Sequence, residues 1–369
     1  MKIKYLFLLY VIFMAPNQLC FGQKVSSRVS GIISDFEKQL QYNITRDNLH
    51  GSISAAIVKD NKIIWLGAFG YANTTEKRPA DTNTIYRVGS ITKTFTAALL
   101  MQLVEEGKIK LDDPAENYVP EVKNLKGYSA DTKFTIRQLA SHTSGLSREP
   151  DERGADVGPI EKWQDKLLSI IRQTGFNSKP GKQFFYSNIG FAILGLALER
   201  ATGVRYIQMI QQRIFKPLHM NNSFFIMTPD KLPQLAQGIF NDRNGSTNTK
   251  LPVTELEGRG YKVPNGGIFT TPNDLSKFVI AMMGKSDLLK PSSLKEMRSA
   301  PAGGKDYGLG LMLFKNGQLG MIGHSGVVPG YTSQFLINRD TGYAVILMRN
   351  YNFGSTDMER VAVDLLKKL

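Results

Sequence analysis

Two residues one helical turn apart, Ser90 and Lys93, could do chemistry together, and the rest of the sequence can be read around them. They fall in Arg87-Val88-Gly89-Ser90-Ile91-Thr92-Lys93-Thr94-Phe95, where a helical pattern from Ile91 to Glu106 begins. Phe95, Leu99, Leu100, Leu103 and Val104 form its apolar stripe, and Gly107 supplies the stop. Side chains at i and i+3 are helix neighbours, so the Lys93 amine can reach the Ser90 oxygen. Unpaired N–H groups in the first turn favour negative charge. A serine that sheds its proton and then carries an acyl group gains from both effects. The pattern alone is cheap: Ser292-Ser293-Leu294-Lys295 repeats it inside an ordinary polar helix, and a capping serine before a solvated lysine would look the same.

Partners further along the chain must therefore decide. Tyr186-Ser187-Asn188 stands where a loop passes into a helix. A phenol near a cationic lysine can shuttle a proton, and an asparagine can hold a substrate amide by donor and acceptor together. Tyr71-Ala72-Asn73 is a second copy in plainer surroundings. Gly323-His324-Ser325-Gly326-Val327 reads as a strand whose glycine lets a substrate backbone approach closely. The Val327 N–H could join that of Ser90 as an oxyanion hole, and His324 could donate to a carboxylate or move a proton. His50, His142 and His219 share no metal-ligand spacing, so neither a metal nor another cofactor is expected. No Gly-x-Ser-x-Gly elbow, phosphate loop or dinucleotide fingerprint occurs.

The elements that must position these residues follow a simple order. Val25 to Ile44 has helical spacing, and Gly51 to Gly70 reads as a hairpin turning at Lys59-Asp60-Asn61-Lys62. From Pro79 to Pro272 the signals are mainly helical, with helices expected at Asp112-Asp113-Pro114-Ala115, from Thr135, over Ile160 to Gln173, Ile189 to Ala201 and Tyr206 to Phe215. Pro229 to Pro264 reads as loops and weak strands, and a further helix starts at Thr271-Pro272. Strands are expected at Tyr307 to Phe314, Leu319 to Ile322, Tyr331 to Asn338 and Tyr343 to Met348, with turns at Asn316-Gly317, Pro329-Gly330 and Asp340-Thr341-Gly342. Asp357 to Leu369 closes as an amphipathic helix. The fold class expected is α/β (α+β): one antiparallel sheet built from both chain ends, flanked by the terminal helices, with a helical region against it. The sheet part would span about 23–79 and 285–369, and the helical part about 80–284.

Composition narrows the function. Of 369 residues, 42% are hydrophobic and 21% charged, the balance of a soluble globule. Lys2 and Lys4 precede an apolar run from Tyr5 to Met14 and then Cys20-Phe21-Gly22, the layout of a signal peptide removed before Gln23. The expected location is periplasmic or secreted, without an integral membrane span; a lipid anchor on Cys20 is the competing reading, opposed by bulky Leu19. Cys20 is the only cysteine, so a cysteine nucleophile and disulfides in the mature chain are excluded. The net charge of +14 is scattered, which excludes nucleic acid as an expected partner. A monomer acting on a small-molecule or peptide substrate is expected.

Ser90-Ile91-Thr92-Lys93, Tyr186-Ser187-Asn188 and His324-Ser325-Gly326, in that order, resemble the serine β-lactamase and penicillin-binding protein superfamily in its class C-like branch. Leu139 to Leu146, Lys216-Pro217-Leu218-His219-Met220 and Asn265-Gly266-Gly267-Ile268 are similar to family stretches too. The resemblance implies a β-lactamase/transpeptidase-like fold with its site between sheet and helical parts. It implies Ser90 as the acylated nucleophile, Lys93 as proton acceptor or electrostatic partner and Tyr186 as general base and acid. Asn188 would orient substrate, beside Ser325, Gly326 and an oxyanion hole of the Ser90 and Val327 amides. His-Ser-Gly replaces the Lys-Thr-Gly of dedicated class C β-lactamases, as in D,D-peptidases, D-aminopeptidases and esterase-like members. An exported serine hydrolase of a β-lactam, D-amino acid peptide or small ester is expected; a penicillin-binding sensor that does not turn over is the alternative.

Overall fold

The structure, a computed structural model, describes residues 26–242, 244–316 and 319–369. The signal segment with Cys20 and part of the Asn316-Gly317 turn lie outside the described residues. Both chain ends build one seven-stranded antiparallel sheet. Its strands are β1 (Ser52–Lys59), β2 (Lys62–Asn73), β3 (Arg78–Pro79), β4 (Met312–Asn316), β5 (Leu319–Val328), β6 (Tyr331–Asn338) and β7 (Tyr343–Arg349). The order across the sheet is β3-β2-β1-β7-β6-β5-β4, so the N-terminal hairpin joins the C-terminal meander through β1 and β7, in register from Ile53 opposite Arg349 to Lys59 opposite Tyr343.

Side chains on a strand alternate between faces, and β1 shows why its apolar run is continuous. Ile53, Ala55 and Ile57 face the two terminal helices, α1 (Ser27–Asp47) and α5 (Met358–Lys368), packing with Phe36, Leu40, Val361 and Leu365. Ala56 and Val58 face the opposite way, into the large core shared with the helical region. That region includes α2 (Thr92–Glu105), α3 (Asn188–Thr202) and α4 (Pro272–Met282). Ser187 caps the start of α3 by accepting from the Gly190 N–H, and Gly203, at φ 70°, ends it in the left-handed conformation that glycine adopts without penalty.

Three expectations change. The helix carrying Lys93 is buried beyond its expected apolar stripe: every residue from Thr92 to Met101 is buried, because helical elements and the sheet enclose it. The strand expected from Tyr307 begins only at Met312, since a bend at Leu309 and Gly310, the latter at φ 65°, brings Tyr307 back opposite Met312 in an isolated antiparallel bridge. Asp112-Asp113-Pro114-Ala115 starts only the short 3-10 turn Ala115–Asn117. No helix among the described residues is long and apolar enough to cross a membrane.

Candidate active site

Ser90 sits in a 3-10 turn, Gly89–Ile91, wedged between the two-residue strand Tyr86–Arg87 and α2. Its hydroxyl caps no helix. The turn is docked from two sides: the Val88 N–H donates to the Ile268 carbonyl at 3.1 Å, and Ser333 Oγ on β6 donates to the Val88 carbonyl at 2.9 Å. Gly89, at φ 51°, lies so near β5 that a Cβ there would stand 3.0 Å from the Val327 nitrogen. The strand bearing the third motif thus passes directly beside the serine turn.

Lys93 points inward from the first turn of α2 and is fully buried. Its Nζ lies 3.1 Å from Ser90 Oγ, 2.8 Å from Asn188 Oδ1 and 3.0 Å from the Asn265 carbonyl. Burial drags its pKa well below the ordinary lysine range; Glu149 opposes that shift, and Lys262, Arg259 and Arg148 reinforce it. Carbonyl oxygens can only accept, so the two N–H bonds of a neutral amine fit Asn188 and Asn265, leaving its lone pair toward Ser90. The second Ser-x-x-Lys copy offers no such setting: Ser292 and Lys295 are exposed on a short helix, while Ser293 bonds Glu105 at 2.5 Å.

Tyr186 joins from the loop before α3, its hydroxyl hydrogen-bonded to Ser90. Burial pushes its pKa up to about 12, against the Ser90 bond and Arg148, which favour the phenolate. The ring lies 4.9 Å from Lys93 Nζ and from the Arg148 guanidinium carbon, so the Arg148 cation faces its π cloud. His142 supports it: their ring centroids are 4.1 Å apart, and His142 Nδ1 accepts from the Ser187 N–H at 3.0 Å. A proton therefore belongs on His142 Nε2, which is buried without a hydrogen-bond partner among the described residues.

Asn188 departs from its expected role. Its Oδ1 serves Lys93 and its Nδ2 donates to Glu149 Oε1 at 2.5 Å, so each end already has one partner within the protein and the amide's orientation is set by them. Asn265 closes the ring, donating from Nδ2 to the Asn188 carbonyl at 2.9 Å.

His324 departs further. It is fully buried, with Nδ1 2.6 Å from the Ser325 carbonyl and Nε2 2.9 Å from the Tyr307 hydroxyl. The carbonyl requires a proton on Nδ1, so Nε2 accepts from Tyr307. Burial, with Lys93 nearby, lowers its pKa to about 3 although the Ser325 carbonyl favours the cation. A neutral imidazole with both nitrogens occupied has nothing left to offer a substrate carboxylate. Gly326 also does another job than expected: a Cβ there would lie 1.9 Å from the Val88 carbonyl, so the glycine admits the serine turn against β5. Ser325 is half-buried and Val327, 55% exposed, stands at the rim.

Several contributors escape a reading of motifs. Glu149 and His142 lie in or just after the Leu139–Leu146 stretch, whereas Tyr261, Lys262, Arg259 and Glu255 come from the polar segment read as loops. The Tyr261 hydroxyl and Lys262 Nζ both bond Glu149, and Lys262 pairs with Asp156 at 3.4 Å. Arg87 and Arg259 share Glu255 at 2.6 and 2.8 Å, a buried cluster directly under the serine turn. Among the described residues no group of three or more His, Cys, Asp or Glu could hold a metal ion.

The family model for β-lactamases matches residues 43–367. Protein flp of Staphylococcus aureus (strain N315) is 27% identical over 328 residues, covering 87% of this chain and 64% of its own length. The chain thus spans under two thirds of that relative. A D-stereospecific amidohydrolase from Streptomyces sp. superposes with a TM-score of 0.72 at 26% identity, over 90% of this chain and 97% of that one. The octameric penicillin-binding protein homologue from Pyrococcus abyssi gives a TM-score of 0.74 at 26% identity, over 90% and 76% of the two chains. With the sheet, the serine turn and the match over almost all the described residues in agreement, the chain belongs to the β-lactamase family.

Proposed function

We propose that this chain is an exported hydrolase that forms an acyl-enzyme on Ser90 and acts on a β-lactam, a D-amino acid peptide or a small ester. The observation that carries the reading is the Lys93 amine, held by two carbonyl acceptors with Ser90 Oγ at 3.1 Å. Lys93 takes the proton of Ser90 as the oxygen attacks the substrate carbonyl, and the Ser90 and Val327 amides receive the oxyanion. Tyr186, which burial keeps protonated, gives its proton to the leaving group and regains one from Lys93. Water then hydrolyses the ester with the same two groups acting in reverse. Small amides and esters suit the site better than substrates needing a cation at the third motif, since His324 is neutral and enclosed. The amidohydrolase relative supports the same preference. The pattern of residues 1–22 supports export.

A fluorescent penicillin or a fluorophosphonate should label the wild-type protein and not Ser90→Ala; equal labelling would end the proposal. Mass spectrometry over time separates turnover, in which free enzyme returns, from a sensor that keeps its adduct. Tyr186→Phe should retain the fold while turnover falls by about 10² or more, the scale of lost acid and base catalysis. A near-normal rate in a panel of p-nitrophenyl ester, D-aminoacyl anilide, D-Ala-D-Ala peptide and nitrocefin would remove Tyr186 from the reaction.

A further inference from the structure

Glu149 has no part in the reaction above, yet it is gripped by three donors from two separate segments. Its Oε1 accepts from Asn188 Nδ2 at 2.5 Å and Lys262 Nζ at 3.2 Å, and its Oε2 accepts from the Tyr261 hydroxyl. A side-chain amide has one accepting end and one donating end. With its NH2 turned to a carboxylate that can only accept, Asn188 must present Oδ1 to Lys93, where it lies 2.8 Å from Nζ. Turning the amide over would set oxygen against the Glu149 carboxylate and NH2 against the amine, losing both bonds.

We infer that Glu149 is the positioning residue of the proton-accepting amine: it fixes the Asn188 amide, and through it the direction in which the Lys93 lone pair points. The inference rests on the assignment of Lys93 as acceptor for Ser90. Asn265 holds the second N–H by its backbone carbonyl, which cannot turn over, so Asn188 is the reversible member of the pair and the one that needs a keeper. Glu149 also sets charge. Lys93 faces the cations Arg148, Arg259 and Lys262, the neutral groups Tyr186, His142 and His324, and one anion, Glu149, which favours its protonated form. The Glu149 side chain is 37% exposed, so replacing it by glutamine does not open a sealed core.

The test is the second-order rate constant for fluorophosphonate labelling of Ser90 in the full chain, from about pH 5 to about pH 10. On the low-pH side the rate falls as Lys93 gains its proton. Removing an anion lowers the pKa of a nearby ammonium, so Glu149→Gln should move that limb to lower pH by about half a unit or more. Its plateau should also drop about tenfold, the scale at which loss of orientation is felt. Glu149→Asp keeps the charge but not the reach, so it should keep the limb nearer wild type while losing the plateau. In an Asn188→Ala background Glu149→Gln should add less than about twofold to the loss of plateau, because residues acting through one another are not additive. A Glu149→Gln profile superimposing on wild type, or a full multiplicative loss on top of Asn188→Ala, overturns the inference while leaving Ser90 in place. Absence of labelling in the wild type overturns both.

Discussion

At the scale of single residues, two histidines set the character of the site by staying neutral. His324 is fixed as one tautomer between Tyr307 and the Ser325 carbonyl, and His142 as another between Ser187 and its aromatic neighbours. An unfolded histidine binds a proton near pH 6.5, whereas folded His324 resists it down to about 3. Between those values the unfolded state holds more protons, so stability rises with pH there and is lost as pH falls below 6.5. His324 alone should cost about 2 kcal/mol on going from neutral to about pH 5, with His142 adding in the same direction. Urea unfolding at the two pH values checks this, and a flat profile would show that neither ring is held neutral by burial. Converting the third motif with His324→Lys should not create a β-lactamase. It would put an ammonium into a fully enclosed position already near Lys93, so a lower melting temperature and no gain in nitrocefin turnover are expected. The residue types of all three motifs were readable from spacing. Their commitments were not: Asn188 and His324 seem free to a reader of the sequence because Glu149, Tyr307 and Asn265, which engage them, are distant in the chain and carry no signal of proximity.

Among the elements, the tightest constraint is the approach of β5 to the serine turn. Gly326 meets the Val88 carbonyl and Gly89 meets the Val327 nitrogen, so each glycine removes the Cβ that would separate the strand from the serine turn. Gly326→Ala should force the strand away, costing at least about tenfold in the rate of Ser90 labelling while α2 and its core remain. An unchanged rate would mean that the oxyanion side of the site lies elsewhere. Element types and order followed from periodicity, including α1, the hairpin, α3 and the closing helix. Burial on all sides of α2 did not, since periodicity reports only contrast between faces and the helix beside Ser90 has little. The Pro229–Pro264 segment was the least readable. Its strands are two residues long and its helices one turn, yet it delivers Arg259, Tyr261 and Lys262 to the site.

For the molecule as a whole, the sheet divides two cores with different duties. One core, around Phe36, Trp65 and Val361, fastens the terminal helices; the other holds α2 and everything that touches Lys93. The buried Arg87, Glu255 and Arg259 cluster ties the long middle segment to the serine turn, and its single carboxylate serves both guanidinium groups. Glu255→Ala would leave two enclosed cations without a counter-charge and should destabilise the protein by about 3–5 kcal/mol, measurable by chemical denaturation. A loss below about 1 kcal/mol would show that water reaches the cluster. The start of α1 and the end of α5 meet where Arg28 Nη2 donates to the Lys368 carbonyl at 2.9 Å, on the sheet face turned away from Ser90. A tether, a surface or a fused domain joined upstream of Ser26 would therefore attach on the far side of the sheet from Ser90 and leave the serine turn unobstructed by it.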